Sequence, residues 1–223
     1  MNIKIKICGL TRENDLQFCE KNRIDFAGFI FHPQSPRYIS PEKAAKIKGM
    51  EGRRVGVFVR QTPEQILNMT RTARLDFIQL HGGQSPDFCA CLPPKKLIKV
   101  FWPEKYAAMQ DMLAAINGFL PVSRYFLLDA GSGGGGHGRT IQSPLFSECI
   151  KQKETFLAGG LSPENIRTAL QKKPYALDVN SGVEISPGIK DHDLILEVVR
   201  MVQDTKQQKS NKILANTQTK EIQ

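Results

Sequence analysis

The chain has 223 residues, of which 40% are hydrophobic and 24% charged, with a formal net charge of +9. This composition suits one globular domain and excludes a chain that is disordered throughout. No stretch of about 18 apolar residues occurs, so we expect neither a membrane-spanning helix nor a membrane partner. The alternating start from Met1 to Ile7 lacks the apolar run of a secretory signal, so we expect a cytoplasmic protein.

Eight short runs of β-branched, aliphatic or aromatic residues recur along the chain, bounded by Gly, Pro, Asp or Asn. Their length and composition predict β-strands. In chain order the predicted strands are Ile3–Cys8, Phe26–Phe31, Arg54–Val59, Phe77–Leu80, Leu97–Phe101, Tyr125–Leu128, Thr155–Ala158 and Ala176–Val179.

Helix-starting signals lie between the strands. A Ser or Thr before Pro places a capping oxygen ahead of a residue that has no N–H to leave unsatisfied. The dipeptide opens five segments, at Ser40, Thr62, Ser85, Ser143 and Ser162. We also predict helices in the run from Thr11 and in the stretch from Asp191 to Val202, which has an apolar stripe.

Strand and helix therefore alternate eight times, which predicts parallel strands joined by helical crossovers. Eight such units predict an α/β fold, a single-domain (β/α)8 or TIM barrel over residues 1–203. An open doubly wound sheet is the competing fold, and it usually has fewer strands. Residues 204–223 are polar and predict a flexible tail, or else a frayed extension of the last helix.

The cysteines, histidines and charges limit the ligands. Five cysteines, without a Cys-x-x-Cys pair, are expected to be reduced thiols. The four histidines are scattered, so we expect no metal site. The positive charge favours an anionic small-molecule substrate, and the dispersed Lys and Arg residues argue against nucleic acid.

The active site of a (β/α)8 barrel lies at the C-terminal ends of its strands. Alternation puts Lys4, Lys6 and Cys8 on the inward face of the first strand, so that Cys8 points into the mouth. Lys6 lies beneath it and needs a counter-charge, for which Asp178 is the candidate. Cys8 is a candidate catalytic thiol, and the alternative is a small buried hydrophobe.

Two further groups end strands at the same mouth. Asp129 follows Leu127 and Leu128, and apolar surroundings raise the pKa of a carboxyl, as a general acid at neutral pH requires. Its alternative role is a cap or turn residue. His81 ends the fourth strand and either holds a ligand or satisfies a turn.

Glycine pairs follow the last two strands. Bare backbone N–H groups at Gly159, Gly160, Ser181 and Gly182 stand where barrels often bind phosphate, and two tight turns are the alternative. Residues 131–138 carry six glycines and predict a mobile lid or a plain linker. Arg37, after the second strand, offers two donors to a carboxylate or is a surface cation.

Taken together, these motifs resemble the phosphoribosylanthranilate isomerase family. The resemblance covers about residues 3 to 202, in family order. The matching motifs are KICGLT (6–11), GFIFHP (28–33), SPRYI (35–39), VGVFV (55–59), QLHG (79–82), LLD (127–129), AGGL (158–161), DVNSGVE (178–184) and PGIKD (187–191).

The resemblance implies an Amadori rearrangement of N-(5-phosphoribosyl)anthranilate in tryptophan biosynthesis, without a cofactor. Cys8 would be the general base, Asp129 the general acid and Arg37 the holder of the anthranilate carboxylate. Gly160 and Ser181, with their loops, would bind the phosphate. The other expected substrate-binding residues are His81, Gly159, Asp178 and Gly182. We expect a monomer or a homodimer.

The sequence departs from the family after the glycine-rich segment. Ile141, Gln142 and Ser143 stand where the family commonly has Phe-Asp/Asn-Trp, so an aromatic and a polar anchor of the lid are missing. Asn180 replaces a more usual Ser.

Two alternative functions remain. One is a broader-range aminoaldose–ketose isomerase that also acts on the histidine-pathway ribotide. That family is expected to use an aspartate at the mouth of the first strand, so Cys8 at this position argues against it. The other is a non-enzymatic phosphate-binding or nucleic-acid-binding barrel, which the charge and the altered lid suggest.

Overall fold

A computed structural model of the chain describes residues 3–129 and 144–205. Its eight parallel strands form one closed barrel in chain order, and the last strand pairs with the first. The strands are β1 (Lys4–Ile7), β2 (Phe26–Ile30), β3 (Arg54–Phe58), β4 (Phe77–Leu80), β5 (Leu97–Phe101), β6 (Tyr125–Asp129), β7 (Thr155–Ala158) and β8 (Ala176–Val179). The predicted (β/α)8 barrel and its eight strands are confirmed, and the open sheet is excluded.

A helix follows each strand. The helices are α1 (Glu13–Lys21), α2 (Pro41–Lys46), α3 (Pro63–Thr72), α4 (Pro86–Ala90), α5 (Met109–Phe119), α6 (Pro144–Gln152), α7 (Ile166–Gln171) and α8 (residues 192–205). Between β8 and α8 the chain forms a small antiparallel hairpin of β9 (Glu184–Ser186) and β10 (Ile189–Lys190).

Three of the five predicted Ser/Thr-Pro caps are confirmed. The hydroxyls of Ser40, Thr62 and Ser85 each accept a hydrogen bond from the backbone N–H three residues later. At Thr62 the Gln65 side chain also accepts from the Thr62 N–H, which completes a capping box. Ser143 lies outside the described residues, although α6 begins at Pro144.

The prediction of a helix beginning at Ser162 was wrong. Helix α7 begins four residues later, at Ile166. The Ser162 hydroxyl donates to the Glu164 carboxylate, and the Ser162 N–H donates to Asn165 Oδ1 at 3.0 Å. These local bonds stabilise a turn instead of a first helical turn, because Ser and Asn side chains compete with the helical backbone for partners. The run from Thr11 is helical only from Glu13.

Two hydrophobic layers hold the barrel. Ile3, Ile5 and Ile7 pack in the layer between strands and helices, as the alternation predicts. The second layer fills the barrel interior. Its buried members are Phe26, Val55, Ile98, Val100, Tyr125, Leu127, Phe156, Ala158 and Ala176.

Aromatic rings close the N-terminal end of the barrel, and we call them the aromatic plug. Its members are Phe26, Phe77, Tyr125, Phe156 and Tyr175. The Phe156 ring centroid lies 5.2 Å from that of Phe26 and 5.5 Å from that of Tyr125. Lys4 Nζ donates to the Tyr175 hydroxyl at 2.9 Å and lies 4.9 Å from the centroid of that ring. The opposite, C-terminal end of the barrel opens into a cavity that strand-end residues line.

Several predictions fall on residues that the structure does not describe. They are the glycine-rich segment 131–138, the altered residues Ile141, Gln142 and Ser143, and the tail beyond residue 205. The domain boundary after residue 203 stays a prediction. Within residues 3–129 and 144–205, no helix is long and apolar enough to cross a membrane.

Candidate active site

A cavity of about 410 Å³ opens at the C-terminal ends of the barrel strands. Eight of the nine site residues predicted from sequence line it. They are Cys8, Arg37, His81, Asp129, Gly159, Gly160, Asp178 and Ser181. The predicted thiol and carboxyl therefore face one common space rather than separate parts of the barrel.

Gly182 is not among the residues that line the cavity. A Cβ atom at this position would lie 2.1 Å from the backbone oxygen of Leu161. The glycine thus lets the loops after β7 and β8 approach closely. Its part in phosphate binding stays a prediction.

The Lys6–Asp178 pair lies beneath Cys8. Lys6 Nζ donates to the two Asp178 carboxylate oxygens at 2.8 and 2.9 Å, and the Lys6 side chain is 0% exposed. The two residues are direct partners in the register of β1 against β8. The predicted counter-charge is therefore confirmed.

Burial and this ion pair set the protonation of the site. Burial alone would lower the pKa of Lys6, but the Asp178 carboxylate and its hydrogen bond raise it above the ordinary value. Burial raises the pKa of the Cys8 thiol, and the nearby Lys6 ammonium opposes that rise without cancelling it. At neutral pH, Lys6 is an ammonium and Cys8 is predominantly a thiol.

Gly28 on β2 makes room for Cys8. A Cβ atom there would lie 2.8 Å from Cys8 Sγ and 3.2 Å from Lys6 Cε. The bare backbone therefore allows the thiol and the ammonium to lie side by side on the inner wall. This requirement explains why a glycine interrupts an otherwise apolar strand.

On the other side of the cavity, His81 lies beside Asp129. The His81 Nε2 to Asp129 Oδ2 distance is 3.6 Å, and the His81 ring stands edge-on to Trp102 at 5.1 Å between centroids. Burial, then the cations Lys6, Lys99 and Lys105, lower the pKa of His81 to about 4. The imidazole is therefore neutral at physiological pH.

Arg37 pairs with Glu184, a residue that the sequence did not single out. Arg37 Nε lies 3.0 Å from both carboxylate oxygens, and Arg37 Nη2 donates to Glu184 Oε2 at 2.7 Å. Glu184 Oε1 also accepts from Lys190 Nζ at 2.8 Å and from the Gly188 N–H at 3.1 Å. Burial alone would raise the pKa of Glu184, but the hydrogen bonds from Arg37 and Lys190 hold it below its ordinary value.

Two glycines with positive φ angles begin the loop after β7. Gly159 and Gly160 line the cavity with φ angles of +105° and +63°. Residues with side chains rarely adopt these angles, so glycine is required for this course of the loop.

Two residues of the cavity wall, Trp102 and Lys105, lie outside every motif that was identified in the sequence. Trp102 directly follows β5, just as His81 directly follows β4. Reading the end of the fifth strand as well would have found it. Lys105 Nζ lies 3.9 Å from the Trp102 ring centroid, so the two form one cation–π unit at the rim.

The closed barrel and this polar cavity at its C-terminal mouth define a (β/α)8-barrel enzyme. The model of the family described as N-(5'phosphoribosyl)anthranilate (PRA) isomerase matches residues 5–201. The chain therefore belongs to the N-(5′-phosphoribosyl)anthranilate isomerase family, and the resemblance found in the sequence is confirmed.

Individual relatives agree with the family match. The N-(5′-phosphoribosyl)anthranilate isomerase of Maridesulfovibrio salexigens is 42% identical over 194 residues, which are 86% of this chain and 95% of that protein. The structure of phosphoribosyl anthranilate isomerase from Thermotoga maritima superposes with a TM-score of 0.81 at 36% identity, covering 91% of this chain and 99% of that one. Another similar structure, with a TM-score of 0.75 and 34% identity over 91% and 99% of the two chains, is a complex of such an isomerase with reduced 1-(o-carboxyphenylamino)-1-deoxyribulose 5-phosphate.

Proposed function

We propose that this protein converts N-(5′-phosphoribosyl)anthranilate into 1-(2-carboxyphenylamino)-1-deoxyribulose 5-phosphate in tryptophan biosynthesis. In this proposal Cys8 is the general base and Asp129 the general acid. One observation carries it: in a member of this family, the thiol at the end of β1 and the carboxyl at the end of β6 line the same cavity. We expect the enzyme to act in the cytoplasm as a monomer or a homodimer.

The first step needs an acid. A protonated Asp129 gives its proton to the furanose ring oxygen, the C1–O bond breaks, and the nitrogen lone pair forms a protonated Schiff base at C1. His81 lies beside this carboxyl and is neutral at the working pH, so it adds no charge there.

The second step needs a base. The protonated Schiff base makes the C2 hydrogen acidic, and the Cys8 thiolate takes that proton. The C2–H electrons form a C1=C2 double bond and neutralise the nitrogen. The resulting enolamine then tautomerises to the aminoketose. Burial keeps Cys8 mostly protonated, so the thiolate that reacts is the minor form. The Lys6 ammonium beside it stabilises that thiolate.

The two ends of the substrate are anions, and the cavity offers a cation and bare backbone to receive them. Arg37 binds the anthranilate carboxylate, and the loops of Gly159, Gly160 and Ser181 bind the phosphate. The complex of a relative with a reduced product, which carries both anions, supports this assignment. The rearrangement moves protons and bonding electrons within one substrate and needs no external oxidant or reductant, so the proposal includes no cofactor and no metal.

A rate assay on purified variants tests the proposal. Loss of anthranilate ribotide is followed with wild type, Cys8→Ala and Asp129→Asn, each with and without a chelator. Each substitution should lower kcat by about 10²–10⁴-fold, since each removes one acid–base step. Cys91→Ala is the matched control, because Cys91 is an exposed thiol outside the cavity.

Three results would count against the proposal. Wild-type rates in either active-site variant would remove the roles of Cys8 and Asp129. Loss of rate with chelator would require a metal. Comparable turnover of the histidine-pathway ribotide by the wild type would favour the broader-range isomerase.

A further inference from the structure

The guanidinium of Arg37 is held along one edge only. An arginine fork has two edges that can each grip a carboxylate, one formed by Nε and Nη2 and the other by Nη1 and Nη2. Glu184 occupies the Nε–Nη2 edge through three contacts of 2.7 to 3.0 Å. Within residues 3–129 and 144–205, Arg37 Nη1 has no hydrogen-bond partner, and Arg37 lines the cavity.

Glu184 is itself fixed from behind. Its side chain is only 3% exposed, and the Lys190 ammonium that contacts it is 0% exposed. Lys190 Nζ also donates to the backbone oxygen and side-chain oxygen of Asn180, at 3.1 and 3.0 Å. The carboxylate of Glu184 therefore cannot turn away from Arg37 without leaving a buried ammonium behind.

The β9–β10 hairpin explains how this cluster is built. Glu184 opens β9 and Lys190 ends β10, and the antiparallel register places the two opposite each other. The Gly188 N–H at the turn adds a third donor to Glu184. The hairpin lies outside the barrel, and it presents one fixed carboxylate to Arg37.

The charges leave room for a second anion. Arg37 and Lys190 are two cations around the single carboxylate of Glu184, so the cluster keeps one positive charge. A substrate carboxylate on the remaining Arg37 edge would balance it.

We infer that Glu184, backed by Lys190, is a positioning residue: it orients the Arg37 guanidinium so that its Nη1–Nη2 edge receives the carboxylate of the substrate. This inference rests on the proposed function, which assigns the carboxylate to Arg37. In the opposite role, the Glu184 carboxylate would occupy the place of the substrate carboxylate on Arg37. It would then have to move away before substrate binds.

A binding experiment with two probes tests the inference. The proteins compared are wild type, Glu184→Gln, Arg37→Met and the double variant. One probe is the reduced 1-(o-carboxyphenylamino)-1-deoxyribulose 5-phosphate, and the other is its phenylamino counterpart without the carboxylate. Glu184→Gln should weaken binding of the carboxylated probe by about ten-fold, the size of one lost charge-assisted hydrogen bond, and leave the other probe unchanged. KM for the anthranilate ribotide should rise with little change in kcat.

The remaining variants separate the possible failures. In the Arg37→Met background, adding Glu184→Gln should not change the preference between probes, because the two residues act as one unit. If both probes weaken equally in Glu184→Gln, or if the carboxylated probe binds more tightly, the inference is wrong. If Arg37→Met keeps the wild-type preference, the carboxylate assignment in the proposed function is wrong instead.

Folding is controlled separately. Glu184→Gln leaves Lys190 buried without a carboxylate, so Glu184→Gln/Lys190→Met provides a second protein in which Arg37 has lost its partner. It should show the same selective loss, and an unchanged preference there would overturn the inference. Glu154→Gln removes a carboxylate from the exposed Arg124 pair and should leave binding of both probes as in wild type.

Discussion

At the N-terminal end of the barrel the inward positions of the strands carry aromatic rings, whereas at the C-terminal end the same alternation presents Cys8, His81 and Asp129. The aromatic plug fills the barrel interior at its end with packed rings, and the opposite end holds a cavity of about 410 Å³. One pattern of strands thus supports packing at one end and chemistry at the other.

Two lysines of the same strand make the difference between the ends concrete. Lys4 lies against the Tyr175 ring and donates to its hydroxyl, so it needs no carboxylate. Lys6, two residues later, is fully buried and pairs with Asp178. The comparison teaches that a cation at the plug is stabilised by rings and partial exposure, while one buried beneath Cys8 needs a full counter-charge.

Replacing Lys6 should have the largest effect on stability. Lys6→Met leaves the Asp178 carboxyl buried without its partner, and we expect the free energy of unfolding at pH 7 to fall by about 4 kcal/mol. Chemical denaturation measures it. Lys6→Met/Asp178→Leu should recover most of the loss. A fall below about 1 kcal/mol would mean that water or another group can replace Lys6.

A cavity in the aromatic plug should lower the free energy of unfolding somewhat less than loss of Lys6 does, and it should leave kcat unchanged. Phe156 is fully buried, and Phe156→Ala should lower the free energy of unfolding by about 3 kcal/mol. Because the plug lies at the end opposite the cavity, kcat of the folded enzyme should stay at the wild-type value. A large fall in kcat at a temperature where the variant is fully folded would show that the two ends are coupled.

A smaller effect should appear in the pH dependence of stability. His81 in the folded chain binds a proton only near pH 4, whereas the unfolded chain binds it near its ordinary pKa of 6.5. Between these values the unfolded state holds more protons, so stability should fall as the pH is lowered from about 6.5 to 4. The His81 side chain is 32% exposed at the cavity wall, which limits the loss to at most about 2 kcal/mol.

Denaturation of His81→Gln across this pH range checks the assignment. For each protein, the free energy of unfolding at lower pH is compared with its own value at pH 7.5. The variant should show a smaller decrease on acidification than wild type. An unchanged slope would mean that other groups cause the acid sensitivity.

Lys4→Met should have the smallest effect, about 1 kcal/mol or less, since it removes one hydrogen bond and a cation–π contact from the aromatic plug. Urea denaturation of the variant beside Lys6→Met gives the direct contrast between the ends. Equal losses in both variants would remove the distinction drawn from the two lysines.

Sequence alone could predict the features that depend on the alternation of side chains along a strand. Strand composition located all eight strands, and the period of two placed Lys6 and Cys8 on the inner face and led to Asp178 as the ionic partner. These predictions succeed because closure of the barrel leaves each strand few ways to orient its side chains.

Contacts made by loops could not be predicted in this way. Glu184 reaches Arg37 across 147 positions of the chain, from a hairpin that follows no barrel period. The turn at Ser162 depends on a local competition between Glu164, Asn165 and the helix backbone, which a capping rule does not include. Trp102 directly follows β5, as His81 directly follows β4. The rule that the residue after a barrel strand faces the cavity, applied to every strand, predicts Trp102 as well.

The closure of the barrel has a consequence for how activity first appears during synthesis of the chain. Cys8 lies on the first strand, and the carboxylate that anchors its neighbouring ammonium lies on the eighth, joined to it across the closing seam. A growing polypeptide therefore carries the Cys8 thiol almost from the beginning, yet the surroundings of that thiol are complete only when the last strand has been made. Partial chains should be catalytically silent, and adding back a fragment that contains β8 should be what switches them on.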